Sequence, residues 1–78
     1  MVEDLLEYLV RSLVDAPDDV SVESFDEDDG SLILELRVGE QDVGRVIGRH
    51  GRTIAALRTL MRACSASEGQ RILVDVLD

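Results

Sequence analysis

The stretch "GRVIGRHGRTI", residues 44–54, decides how this 78-residue chain folds. Gly48 and Gly51 are separated by two residues and stand between two segments with helical patterning. Glycine allows a tight connection and a close approach of the backbone to a ligand, because it has no Cβ. The helix that follows Gly51 begins with unsatisfied N–H groups, which favour an anion. The spacing therefore predicts two helices joined by an anion-facing loop.

Charge is distributed unevenly around this loop. The chain has 17 acidic residues and a formal net charge of −9, yet residues 43–67 contain five arginines, one histidine and no acid. Charges are screened over about 8 Å at physiological salt, so carboxylates on the far side of a small domain weaken this patch little. The pattern favours an anion-binding surface over a merely solvated pair of helices.

The residues before the loop predict a helix and a hairpin. Apolar residues recur with helical spacing at Leu5, Leu6, Leu9, Val10, Leu13 and Val14. Pro17 disfavours helical geometry at Ala16, so the helix is expected to end there. Residues 20–25 and 31–38 alternate as strands, and the polar segment "DEDDG" between them supplies the residue types of a turn.

The residues around and after the loop complete the pattern. A short helix is expected from Glu40 to about Ile47, and a longer one from Arg52 to the segment "SASEG" at residues 65–69. The longer helix would place Ile54, Leu57, Met61 and Cys64 on one face, with Cys64 as a small buried or half-buried residue. Residues 71–77 alternate as a last strand. The predicted order is α-β-β-α-α-β.

Composition limits the class of protein. The chain is 45% hydrophobic and contains neither a run of about 18 apolar residues nor a basic region followed by an apolar block. These features predict a single cytoplasmic domain over residues 1–78 and no membrane segment. No Ser or Cys nucleophile with an orienting acid lies at a recognisable spacing from His50. One His and one Cys, without further ligands, do not make a metal site. No catalytic residue, metal or cofactor is therefore expected.

The chain resembles a KH domain, in which an I-G-x-x-G-x-x-I segment joins two helices and its loop clamps about four single-stranded nucleotides. Ile47, Gly48, Gly51 and Ile54 occupy the signature positions. The resemblance extends to the KhpA family of small bacterial RNA-binding proteins through "LLEYLVRSLVD" and "GRTIAALRTLMRA". Only one strand is expected after the second helix, so the resemblance implies the type II KH fold. This fold is an α+β domain with a three-stranded mixed sheet and three helices on one face.

The resemblance also implies roles for particular residues. Gly48 and Gly51 would shape the clamp, and Arg49 and His50 would fill its variable positions and contact phosphate or ribose. The remaining expected RNA-binding residues are the bordering Arg45 and Arg52, an apolar wall of Val46, Ile47 and Ile54, and an opposite wall from residues 72–74. The sequence leaves open whether Ile47 and Ile54 face the bases or anchor the two helices.

The resemblance further implies partners. Self-association is expected, as is a complex with the larger protein KhpB, also called Jag. The second helix carries Leu60 and Met61 as a candidate dimer surface, although a wide core face explains them equally well.

The sequence therefore predicts a non-enzymatic protein that binds single-stranded RNA with little sequence selectivity, as an RNA chaperone or post-transcriptional regulator. The alternatives are a protein interaction module and a ribosome-associated factor, each with incidental RNA contact. The chain's two aromatic residues lie far from the loop in sequence, so weak binding by one module is expected.

Overall fold

The computed structural model describes residues 1–65 and 69–77. The order α-β-β-α-α-β and the α+β class are confirmed. Three short 3₁₀ turns lie at Pro17–Asp19, Glu40–Asp42 and Arg49–Gly51. The main elements are α1 (Val2–Arg11), β1 (Ser21–Asp26), β2 (Leu32–Arg37), α2 (Val43–Ile47), α3 (Arg52–Ser65) and β3 (Ile72–Leu77).

The sheet is mixed, with the strand order β1-β2-β3. β1 and β2 form the predicted antiparallel hairpin, and β3 lies parallel to β2 on its other side. A parallel neighbour requires a long crossover, which here contains α2 and α3. The even-numbered strand residues face the helices, as shown by the Ser24 hydroxyl, which donates a hydrogen bond to Glu3 of α1 at 3.0 Å.

One apolar core joins the helices to the sheet. Because strand residues alternate and helical residues recur every three or four positions, each element contributes one face. Burial of each such side chain stabilises the fold by about 1.5–3 kcal/mol relative to exposure. The buried apolar residues are Leu6, Val10, Val20, Leu34, Leu36, Val38, Val46, Ile54, Leu57, Met61, Ile72 and Val74.

The first helix ends at Arg11, five residues before the predicted end at Ala16. The cause is Asp42, a fully buried carboxylate that accepts hydrogen bonds from the backbone N–H groups of Asp15 (3.1 Å) and Ala16 (3.0 Å). These bonds satisfy a charge that would otherwise be costly to bury. The chain therefore leaves the helix early, and Leu13 is 40% exposed instead of core-facing.

The last turn of α3 also differs from the prediction. Cys64 is exposed, so its expected burial is wrong. It lies on the helix face of Leu57, but among residues 62–64 of α3 none belongs to the core. The helix extends to Ser65. The predicted end in residues 65–69 lies partly outside the described residues.

Within residues 1–65 and 69–77, no helix is long and apolar enough to cross a bilayer. The same residues contain no cluster of three or more side chains that could hold a metal ion.

Candidate nucleic-acid interface

The glycine loop has a backbone that requires glycine at its first position. Gly48 has φ +79° and ψ 169°, a backbone region that is occupied almost only by glycine. A Cβ at Gly48 would lie 2.2 Å from the Thr53 hydroxyl oxygen and 2.9 Å from the Thr53 backbone nitrogen. Gly48 therefore packs directly against the first turn of α3 and fixes how the loop enters that helix.

The second glycine is placed differently. Gly51 also has a positive φ (+72°), but a Cβ there would meet no atom within 4 Å. Its N–H group donates to the Gly48 carbonyl at 3.0 Å, which closes the turn. The backbone at Gly51 is therefore accessible to a ligand.

The two residues between the glycines point outward. Arg49 and His50 are both exposed, and His50 adopts the left-handed conformation, with φ 58° and ψ 23°. Such a conformation is uncommon for residues other than glycine, although histidine, asparagine and aspartate adopt it more often than the rest, and it costs about 1–2 kcal/mol. The loop thus presents its two variable side chains to solvent on a strained backbone.

The electrostatics of the loop favour an anion. Arg52 is exposed at the first position of α3, where the helix dipole adds positive potential. The side chains of Arg49, His50 and Arg52 make no hydrogen bond or ion pair with the described residues. These three side chains are thus available to an external ligand.

Arg45, which is expected to border bound RNA, already contacts two carboxylates of this chain. Its guanidinium contacts the Asp15 carboxylate at 3.1 Å and the Asp42 carboxylate at 3.7 Å. Its side chain is still 53% exposed, so each contact contributes little to stability. The structure directs Arg45 toward the segment after α1, and its contact with RNA stays a prediction.

Two of the three residues expected to face bases lie in the core instead. Val46 is fully buried, and Ile54 is only 5% exposed. Val46 anchors α2, because this helix has only five residues and must contribute an inward side chain to stay in place. Ile54 belongs to the core-facing stripe of α3. Ile47 is half-buried and keeps surface beside the loop. The apolar wall on this side is therefore reduced to Ile47.

The last strand lines a groove beside α3 with residues that include the expected 72–74. Ile72 and Val74 are buried, whereas Leu73 is exposed on the sheet face away from the helices. A groove of about 230 Å³ lies between α3 and the edge of β3, lined by Arg58, Arg62, Ile33 and residues 72–75. Residues 72–74 therefore line this groove, and Leu73 is the one whose side chain is exposed.

Arg58 is a residue of this groove that the sequence analysis missed. Its Nε and Nη2 atoms both donate to the Val74 carbonyl, at 3.3 and 3.0 Å. The only sequence signal was its place in the acid-free segment. A contact with a strand carbonyl 16 residues away depends on the packing of α3 against β3.

The structure separates the two residues of the candidate dimer surface. Met61 is fully buried in the core, so its assignment to an interface is wrong. Leu60 is 49% exposed. Met61 lies on the core-facing stripe with Ile54 and Leu57. Leu60 is the adjacent residue and is therefore rotated by about 100° around the helix, away from the core.

Several named bacterial proteins are similar in sequence to this chain along nearly its whole length. The chain is 47% identical over 75 residues to the RNA-binding protein KhpA of Borreliella burgdorferi, covering 96% of this chain and 90% of that protein. Over 78 residues it is 47% identical to the KhpA protein of Leifsonia xyli (100% and 99% covered) and 44% identical to that of Treponema pallidum (100% and 96% covered).

Solved structures support the fold. Aquifex aeolicus Era bound to GDP and aluminium fluoride matches with a TM-score of 0.61 at 16% identity, over 96% of this chain and 29% of that chain. A structure of Era with MgGDPNP and nucleotides 1506–1542 of 16S ribosomal RNA also matches with a TM-score of 0.61, over 28% of that chain. A profile for the KhpA/KhpB KH domain matches residues 3–76. The chain therefore belongs to the KhpA/KhpB KH-domain family.

Proposed function

We propose that this chain is a non-enzymatic cytoplasmic protein that binds single-stranded RNA through residues 48–51. One observation carries the proposal: Arg49, His50 and Arg52 are exposed, without a partner among residues 1–65 and 69–77, around a glycine turn whose backbone is open at Gly51. The relatives named RNA-binding protein KhpA, which align along nearly the whole chain, support it.

The expected binding mode is phosphate contact followed by loose base contact. Phosphate approaches Gly51 and the amino end of α3, where no Cβ or carboxylate opposes it. The bases then lie between Ile47 and the groove along β3. Both aromatic residues belong to other elements, Tyr8 to α1 and Phe25 to β1, so base stacking contributes little.

This mode predicts low sequence selectivity and strong salt dependence. Phosphate contacts position a nucleic acid but carry no sequence information. With two to four contacts and a slope of about −0.7 per contact, affinity falls about 7- to 50-fold between 50 and 200 mM salt. Such binding suits an RNA chaperone or a post-transcriptional regulator more than a reader of one sequence.

The test is the double substitution Arg49→Asp and His50→Asp. Aspartate tolerates the left-handed conformation of His50, so the fold should persist. Binding of a single-stranded RNA should fall to background in a fluorescence anisotropy titration, while the melting temperature stays nearly unchanged. The variant Arg37→Asp/Gln41→Asp changes the net charge equally on exposed residues elsewhere and should bind RNA within about twofold of wild type. Equal loss in both variants would contradict the loop as the binding site.

The proposal includes association as the working form, either with a second copy or with a KhpB/Jag protein. Leu60 supports it, because this large apolar side chain is half exposed on α3. A second module would raise the weak affinity of one loop by increasing the effective concentration of the other. Leu60→Asp should shift the sedimentation equilibrium toward monomer without unfolding the chain. If that variant abolished cellular effect while retaining RNA binding, protein interaction would be the primary role.

A further inference from the structure

The face of the sheet away from the helices carries two ordered rows of side chains. Odd-numbered strand residues point to this outer face, because the even-numbered ones pack on the helices. The strand register aligns Phe25, Ile33 and Leu73 in one row across β1, β2 and β3. The next row, two residues along each strand, consists of Glu23, Glu35 and Asp75.

The first row is an exposed apolar strip. Phe25 is 44% exposed, Leu73 is 37% exposed, and Ile33 between them is half-buried. The strip continues into the groove beside α3, which Ile33 and Leu73 also line. Contiguous apolar surface of this kind, next to charged residues, is typical of an interaction site.

The second row places like charges opposite one another. Glu35 has Glu23 as its Cα partner on one side and Asp75 on the other, an arrangement that destabilises a sheet. No ion pair joins any of the three to a described basic residue. Arg37 lies in the following row and Arg58 borders the groove beside Asp75. The row therefore repels phosphate and attracts cationic side chains.

The edge of β3 is already occupied at one of its carbonyl groups. Arg58 already donates two hydrogen bonds to the outward carbonyl of Val74. A strand that added to this edge would have to displace both bonds. A partner is thus better accommodated on the sheet face than at its edge.

We infer that the outer face docks a basic amphipathic helix of a partner protein. The helix lies across the strands with its apolar stripe on Phe25, Ile33 and Leu73 and its arginine or lysine side chains over the acidic row. Helices packed on both faces of one sheet are among the stable layer arrangements of protein domains. Residues 48–51 belong to the helical layer, so the phosphate contacts and this helix lie on different faces, and the two ligands approach each other at the groove along β3, which Ile33 and Leu73 line. The inference does not rest on RNA binding.

The test uses the full chain and a helical peptide of leucine and lysine arranged as an amphipathic stripe. Backbone amide chemical shifts in NMR should change in β1, β2 and β3. The variant Glu23→Gln/Glu35→Gln/Asp75→Asn should bind the peptide about tenfold more weakly. The matched variant Asp18→Asn/Asp19→Asn/Glu40→Gln removes three exposed charges elsewhere and should bind within about twofold of wild type.

A second pair of variants tests the apolar row. Phe25→Ser/Leu73→Ser should weaken peptide binding about tenfold, whereas Leu5→Ser/Leu60→Ser, on the helical side, should not.

The single variant Glu35→Gln tests the acidic row without a peptide. Relief of two like-charge contacts should raise the melting temperature by about 2 °C or more.

Several results would overturn the inference. They are equal weakening by both charge variants, equal binding of a leucine–glutamate peptide, shifts confined to the helices, or no binding at all. A dimer that Phe25→Ser/Leu73→Ser dissociates would assign the face to a second copy instead. Shifts of Glu23 and Phe25 in β1, which lie outside the groove, on addition of single-stranded RNA would assign the face to nucleic acid.

Discussion

Replacement of Gly48 by alanine should unfold the chain at a markedly lower temperature, because two separate costs meet at this residue. Its backbone, at φ +79° and ψ 169°, lies in a region occupied almost only by glycine. A Cβ would also lie 2.2 Å from the Thr53 hydroxyl oxygen, 2.7 Å from the Thr53 Cβ and 2.9 Å from its backbone nitrogen. The backbone nitrogen cannot move without disturbing the start of α3.

The magnitude follows from the two costs. The backbone conformation contributes about 1–3 kcal/mol, and the overpacking against Thr53 contributes about 1–3 kcal/mol more. A loss near 4 kcal/mol lowers the melting temperature of a domain of this size by about 16 °C or more. Gly51→Ala has the conformational cost alone, about 1–2 kcal/mol, because its Cβ meets open space. Gly44→Ala, in α2 with a negative φ and open space, should stabilise by about 0.5–1 kcal/mol.

The assay is thermal and urea unfolding of the three variants, followed by far-ultraviolet circular dichroism. The expected order of stability is Gly44→Ala, wild type, Gly51→Ala, Gly48→Ala. Adding Thr53→Ala should recover part of the loss in Gly48→Ala and none of the loss in Gly51→Ala. If Gly48→Ala were as stable as Gly51→Ala, the close packing of the loop against α3 would be refuted.

Three further predictions concern the core, the helical surface and pH. Asp42→Asn leaves one side-chain acceptor for two backbone N–H groups and should lower the free energy of unfolding by about 1–3 kcal/mol, measured in urea. Met61→Ala should cost about 2–5 kcal/mol, whereas Leu60→Ala should stay within about 0.5 kcal/mol; equal losses would contradict their opposite burial. A hydrogen bond from the Met1 ammonium lowers the pKa of Glu3 from 4.5 to about 2. The stability that Glu3 contributes is therefore complete above pH 4.5 and is lost as pH falls toward about 2, so Glu3→Gln should flatten this part of the stability profile.

The structure also changes which side chains are expected to act at the loop. Arg49, His50 and Arg52 stay candidates because they are exposed and form no ion pair within the part of the chain that the structure describes. The guanidinium of Arg45 already contacts two carboxylates, and Val46 and Ile54 belong to the core. The sequence signature identifies the helix–loop–helix correctly, but the same apolar residue type serves for anchoring a helix and for contacting a base. Only burial distinguishes these two uses.

The sequence by itself determined the features that depend on nearby residues. Strand alternation and the turn residues before Gly30 specify the hairpin, and the spacing of Gly48 and Gly51 specifies the loop between α2 and α3. These are local preferences of a few consecutive residues, so they can be read without knowing the fold. The family resemblance added the expectation of the third strand's place, and the mixed sheet confirmed it.

Only the tertiary structure decided the features that join distant residues. The end of α1 is set by Asp42, which binds backbone groups 26 and 27 residues earlier in the chain. The pairing of Arg58 with the Val74 carbonyl and the two rows on the outer sheet face depend on how α3 and β3 dock against β2. Strand register across a crossover is a property of packing, because it aligns residues that no short stretch of sequence contains together.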